Sequence, residues 1–207
     1  IFTSFDDASL AAAERTVISE LLVESGAWTA IRTRPFSKNP AVGSTPASIF
    51  VSAMDTNPLA ADPQVVIVGR KADFAFGLKV LAKLTAGKVF VSKAPGAEIH
   101  TGDAIVDVNE FAGPHPAGLV GTQIHHLDPV GMKKFVWHVG YQDVIAIGSL
   151  LKTGKLDTTK VLSIAGPAAK SPKLVSTLLG ASIDELVADQ KIDGPVRVIS
   201  GSILNGT

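Results

Sequence analysis

The sequence contains no cysteine, which removes disulfides, thiolate-bound zinc, cysteine-ligated iron–sulfur clusters and a thiol nucleophile. Most one-electron chemistry is thereby excluded from this chain. Excess charge of either sign is also missing: 19 Lys and Arg balance 19 Asp and Glu, so no net field draws the chain toward nucleic acid or anionic lipid. Long hydrophobic runs are lacking. The longest apolar stretches, such as Val65 to Val68 and Val144 to Ile147, fall far short of the ~20 residues that cross a bilayer. Attachment to a membrane would have to go through partners. Nor is there a Walker A sequence, a G-x-S-x-G elbow or an H-E-x-x-H pair. No catalytic residue and no metal-ligand set is therefore expected.

What is present is enough to fold. With 207 residues, 46% hydrophobic and 18% charged, the chain can bury a core and stands well away from the composition of disordered segments. Its length allows one ordinary domain plus a small appendage. It begins with Ile1 rather than Met and ends just after an apolar stretch, so it reads as a piece of a longer protein.

Helical spacing runs from Leu10 to Gly26, with Asp6, Asp7 and Ser9 as caps and Gly26 placed to end the helix. Trp28 to Thr45 has two prolines, two arginines, a lysine and no apolar period, which predicts a long irregular loop. Ser48 to Met54 is a buried strand delivering the polar Asp55-Thr56-Asn57-Pro58 at its carboxyl end. A helix over about Asp62 to Leu84, strands over Lys88 to Lys93 and Ala104 to Phe111, a helix over Pro116 to Leu127, a strand over Phe135 to His138 and a helix over Gln142 to Lys152 follow. Such alternation specifies an α/β domain with a largely parallel sheet. After Asp157-Thr158-Thr159 the pattern turns β-rich: strands over Lys160 to Ala165, Lys173 to Leu178 and Val196 to Ser200, with a short helix over Ser182 to Ala188. The expected domains are residues 1–157 and 158–207, the second separable because little apolar sequence bridges the two.

Candidate residues each carry a plain alternative. The glycine-rich turn from Gly113 to Gly121 departs from the dinucleotide spacing, and its prolines remove amide donors a phosphate would use, so an ordinary loop and helix entry is the better reading. His100, His115, His125, His126 and His138 include no pair at i, i+4, which favours structural or exposed histidines over ligands. Asp55 and Asp62 could act as bases at a strand end, or form an Asx turn and a helix cap, and the second is favoured. Arg32, Arg34 and Lys38 place three cations in one loop, either a grip for phosphate or a carboxylate-bearing partner, or a solvated loop.

Longer stretches carry a resemblance. Glu24-Ser-Gly-Ala-Trp28-Thr-Ala-Ile-Arg32-Thr-Arg-Pro35-Phe-Ser-Lys38 and Ile49-Phe-Val-Ser-Ala-Met-Asp55-Thr-Asn-Pro58-Leu-Ala-Ala-Asp-Pro63 closely resemble the NqrA subunit of the bacterial Na+-translocating NADH:quinone oxidoreductase. The likeness continues through Phe111 to His125, Tyr141 to Ala146 and Val196 to Ser202. It implies a Rossmann-like α/β domain related to the flavin-carrying subunit of complex I, followed by a β-grasp module of the soluble-ligand-binding (SLBB) type. In the complex I subunit the stretch corresponding to Ser25 to Pro40 looks like S-G-L-R-G-R-G-G-A-G-F-P-T, whose glycines let backbone amides approach the FMN phosphate. This sequence has no glycine between Gly26 and Gly43. The relatives' N-A-D-E-S-E-P-G appears as Ala53-Met-Asp55-Thr-Asn-Pro58, so the flavin loops at Trp28, Arg32, Arg34, Asp55 and Asn57 look vestigial.

The resemblance further implies a lipoyl-like domain before Ile1, a helical region after Thr207, and a place at the cytoplasmic face of the bacterial inner membrane. There the chain would be a peripheral subunit of a complex that oxidises NADH, reduces ubiquinone and exports Na+. That complex uses NADH, FAD, FMN and ubiquinone, with no cofactor expected in this chain. The expected partner is chiefly the quinone-reducing membrane subunit, with Trp28, Arg32, Arg34 and Lys38 as interface or quinone-proximal residues. The alternative is a flavin- or quinone-binding catalytic oxidoreductase domain.

Overall fold

The computed structural model describes residues 1–207. Four parallel strands form the framework: β2 (Ile49–Ala53), β3 (Val89–Lys93), β4 (Asp107–Glu110) and β5 (Val136–Gly140). A short strand β1 (Arg32–Arg34) pairs antiparallel with β5, giving the order β1-β5-β2-β3-β4. Alternation along the strands divides the sheet. Ile49, Val51, Val89, Val91, Trp137 and Val139 face one way, into the main core. Phe50, Phe90 and Val136 face the other way, where only Ile124 and its neighbours on α5 (Val120–Leu127) cover them.

The main core is closed by α2 (Arg15–Glu24), α3 (Pro63–Gly69), α4 (Lys71–Leu84) and α6 (Tyr141–Thr153). Helices α4 and α6 cross closely enough that a Cβ on Gly148 would lie 1.9 Å from the Asp73 carbonyl oxygen, and one on Gly77 2.1 Å from that of Val144. Only glycine permits that approach.

Two expected helices are divided. The first becomes α1 (Asp7–Ala12), opened by a reciprocal Asp6–Ser9 capping box, and α2, with Ala13 extended between them. The break accompanies the reach of Arg15 to the last carbonyl of α4, which its Nε meets at 3.0 Å. The second is interrupted at Arg70, where Gly69 ends α3 and the Arg70 guanidinium turns to Asp73 and Asp157. The loop expected over Trp28 to Thr45 is more ordered than its composition suggests. It contains a 3-10 turn (Ala27–Ala30) and strand β1, held because the Asn39 amide donates to the carbonyls of Thr29 and Ile31 at 2.9 and 3.1 Å.

The second unit is a hairpin of β6 (Thr159–Ile164) and β7 (Lys173–Leu178), followed by α7 (Ile183–Val187), whose cap Ser182 accepts from the Glu185 amide. The expected third strand over Val196 to Ser200 does not form, because its backbone pairs locally, Ser200 with Thr207, rather than with the hairpin. No residue after Gly154 is buried. The junction is nonetheless tied: Gln142 clasps the Val161 backbone with bonds of 2.8 and 3.0 Å, and Val161 packs on the main core. The tie is a polar clasp and one apolar contact.

Candidate functional site

In an open parallel sheet, ligands sit outside the carboxyl ends of the strands where the strand order reverses. Here that point lies between β2 and β5, since the chain continues from β2 to β3 and β4 on one side and places β5 on the other. A cleft of about 240 Å³ opens there, lined by Ser52, Asp55, Asn57, Gly118, His138 and Tyr141 among others.

Its walls are braced by local hydrogen bonds. Asp55 forms an Asx turn, one oxygen accepting from the Asn57 amide at 2.8 Å and from the Asn57 side chain at 2.7 Å. Asp62 caps α3 by accepting from the Gln64 amide at 2.9 Å. Both acids thus have structural work. The glycine-rich turn packs against this loop: the Gly118 amide donates to Thr56 Oγ1 at 2.9 Å, and that hydroxyl lies 3.1 Å from His115 Nδ1. A Cβ on Gly118 would come within 2.6 Å of the Thr56 nitrogen, so close packing explains this glycine. From α5, the fully buried Gln123 donates to Ser52 Oγ at 3.0 Å. Burial raises the Tyr141 phenol pKa, and the carboxylates of Asp55 and Asp62 add to the effect.

His138, which lines the cleft, stands beside two cations. Arg32 lies opposite His138 and Arg34 opposite Val136 in the β1–β5 register, so all four share the sheet face that α5 covers. Burial, then the positive fields of Arg34 and Arg32, press the His138 pKa down to about 4. Its Nε2 is buried without a partner, as is Arg34 Nε.

The structure therefore separates the residues that sequence grouped. Trp28 is no exposed anchor: it is 5% exposed, its ring meets Trp137 edge-on at 5.3 Å, and its Nε1 donates to the Pro40 carbonyl at 2.9 Å. The physical reason is its partner Trp137, which fixes it in the main core. Because β1 runs antiparallel to β5, the turn Pro35 to Asn39 emerges at the amino end of the sheet, away from Asp55 and Asn57. Lys38 is exposed on that turn, where its carbonyl accepts from the Thr33 amide at 2.7 Å. His125 and His126 meet edge-on on α5, and no three His, Asp or Glu side chains converge. Sequence alone passed over Gln123, Ser52 and Tyr141, and pointed to His138 only as a candidate metal ligand. A polar residue between the apolar neighbours of a buried strand, as in Val136-Trp137-His138-Val139, was the available signal.

Comparison with known proteins agrees with this architecture. A model of the NqrA second alpha/beta domain matches residues 13–156, and one of the NQRA C-terminal domain, of SLBB type, matches residues 161–207. The A subunit of the Na(+)-translocating NADH-quinone reductase of Shewanella denitrificans is 60% identical over 205 residues, covering 99% of this chain and 46% of that protein. Its counterpart from Serratia proteamaculans is 59% identical over 207 residues, covering 100% of this chain and 46% of that protein. The chain thus spans under half the length of these curated relatives. Among solved structures, a chain of the NAD+-reducing [NiFe]-hydrogenase in the H2-reduced state superposes with a TM-score of 0.58 at 11% identity, covering 92% of this chain and 44% of that one, a likeness of fold alone. With both family models matching in succession over nearly its whole length, the chain belongs to the NqrA family of Na+-translocating NADH-quinone reductase subunits.

Proposed function

We propose that this chain is a docking part, without redox chemistry of its own, of a peripheral subunit in a membrane complex that oxidises NADH, reduces ubiquinone and moves Na+. The named activity of its relatives supports the role in the complex. No helix is long and apolar enough to cross a membrane, which accords with attachment through partners. The proposed partner is the quinone-reducing membrane subunit, and the proposed location is the cytoplasmic face of the inner membrane. NADH, FAD, FMN and ubiquinone belong on this reading to the complex rather than to this chain.

The observation that carries the docking reading is the turn after β1. Phe36 stands 82% exposed at its tip with Lys38 beside it, while Asn39 and Thr33 brace the turn from within. An exposed phenylalanine on a rigid support is the kind of apolar residue that interfaces enrich. The exposed leucines of the second unit, Leu162, Leu174, Leu178 and Leu179, support a second contact, because a two-stranded hairpin without a buried face gains little stability alone.

Flavin does not fit the cleft as it stands. Its volume of about 240 Å³ is at the small end for ligand sites, and FMN needs room for a three-ring isoalloxazine together with its ribityl phosphate. No glycine between Gly26 and Gly43 opens the backbone to a phosphate, and Trp28 is packed into the main core. The position of the cleft favours a rival in which it takes the ubiquinone headgroup. Pull-down of the full-length subunit carrying Phe36→Ser and Lys38→Ala on the rest of the complex tests the docking reading. The docking reading expects at least tenfold weaker assembly with an unchanged melting temperature. Normal assembly with normal activity would refute the docking role of the turn, whereas the rival is tested at the cleft itself, where Tyr141→Ala should abolish quinone reduction and leave assembly unchanged.

A further inference from the structure

The sequence has five arginines, of which four are half-buried: Arg15, Arg32, Arg34 and Arg70. Two of these have found acceptors. Arg15 donates to the carbonyls of Leu84 and Ser44, and Arg70 to the carboxylates of Asp73 and Asp157. Arg32 and Arg34 donate to none and form no ion pair, although nine salt bridges are made elsewhere. A guanidinium drawn partly out of water without an acceptor is costly, and this pair lies on one face of one strand.

We propose that Arg32 and Arg34, together with His138, form a binding site for the phosphate group of a small molecule whose remainder enters the cleft between β2 and β5. The inference is independent of the docking turn, which leaves the sheet at its other end.

Three features define the chemistry. Two guanidinium forks and an imidazole offer more donors than the two oxygens of a carboxylate can accept, whereas a phosphate presents three or four oxygens on a tetrahedron. Arg34 Nε and His138 Nε2 are the buried nitrogens there that lack partners, and a phosphate oxygen supplies an acceptor for each N–H. His138 lines the cleft together with Ser52, Asn57 and Tyr141, and the fields of both arginines reach it. At the far end Asp55 lines the cleft and Asp62 lies close enough to act on Tyr141. That end repels a second anion and suits hydroxyl groups. The ligand class is therefore a small hydroxylated phosphomonoester rather than a dinucleotide.

The site stays in one charge state near neutrality. Its cations are the two arginines, and the imidazole is uncharged at pH 7 because its pKa lies at about 4. A bound phosphate would cancel the guanidinium fields and move that midpoint upward.

The test is a nitrogen-15 NMR titration of the chain at low ionic strength and pH 7, following arginine Nε–H and imidazole signals. Inorganic phosphate and glycerol phosphate are the probes, with malonate and chloride in parallel. Saturable shifts of Arg32, Arg34 and His138 with half-saturation at about 1 mM or below are expected. Glycerol phosphate should bind at least as tightly as phosphate, and the His138 midpoint should rise in its presence. Arg32→Gln and Arg34→Gln should each weaken binding at least tenfold, while Lys38→Ala leaves it unchanged. If a Gln variant unfolds, the Lys substitution at the same position should retain weaker binding and serve instead. Non-saturating shifts shared with chloride, tighter binding of malonate, or binding indifferent to both arginines would overturn the proposal.

Discussion

His138 gives the chain a pH dependence of known sign. In the unfolded chain its imidazole takes up a proton near 6.5, whereas in the folded state burial and the two arginines hold its pKa to about 4. Between these values the unfolded state binds the extra proton, so stability falls as the pH falls, beginning near 6.5 and complete by about 4. At ~1.4 kcal/mol per pH unit the difference is worth about 3 kcal/mol. The carboxylates act in a different window. Asp157 is held below the usual range because Arg70 and the Thr159 amide outweigh the opposing effect of burial, and in Asp128 the bonds from Lys134 and Ser48 do the same. Their contribution is present above the unfolded carboxylate value and is lost only as the pH falls below about 4. The assay is urea unfolding from pH 7.5 to 4 in chloride, with phosphate excluded. The parent chain should lose about 3 kcal/mol across the window, whereas His138→Gln, which removes the titrating group, should lose far less. Parallel curves for the two proteins would refute the assignment of the slope to His138.

Trp28→Ala should cost about 3–5 kcal/mol in chemical denaturation, because the indole is core; a loss under about 0.5 kcal/mol, the size of a surface change, would restore it to the surface. Gly148→Ala should destabilise by about 3 kcal/mol, as its methyl group would meet the Asp73 carbonyl, with calorimetry as the check. Limited proteolysis followed by mass measurement should give first cuts in the exposed stretches from Lys170 to Lys173 and from Ile192 to Pro195, rather than at 154–160, where Asp157 is held by Arg70.

Much of the fold was legible in the sequence, and the particular failures share one cause. The strands β2, β3 and β5 announce themselves as buried apolar runs, and Asp62-Pro63 marks a helix start by capping chemistry alone. Strand β1 reads Arg-Thr-Arg, with no apolar alternation, and it is a strand only because β5, far along the chain, offers it a ladder. Val196 to Ser200 shows the reverse: strand-like composition with no partner to pair with. Trp28 is polar in its local setting and buried by Trp137, a contact no local window contains. At the candidate site, the turn at Asp55 and the cap at Asp62 followed from residue type. The convergence of Arg32, Arg34 and His138 did not, because it depends on strand register.

The most direct test of the non-redox reading is titration of the purified chain with FMN by equilibrium dialysis and visible absorption. The account predicts a colourless protein and no binding at micromolar flavin. One-to-one binding with a micromolar or tighter dissociation constant, about −8 kcal/mol or better, with a flavin spectrum carried by the chain, would contradict it.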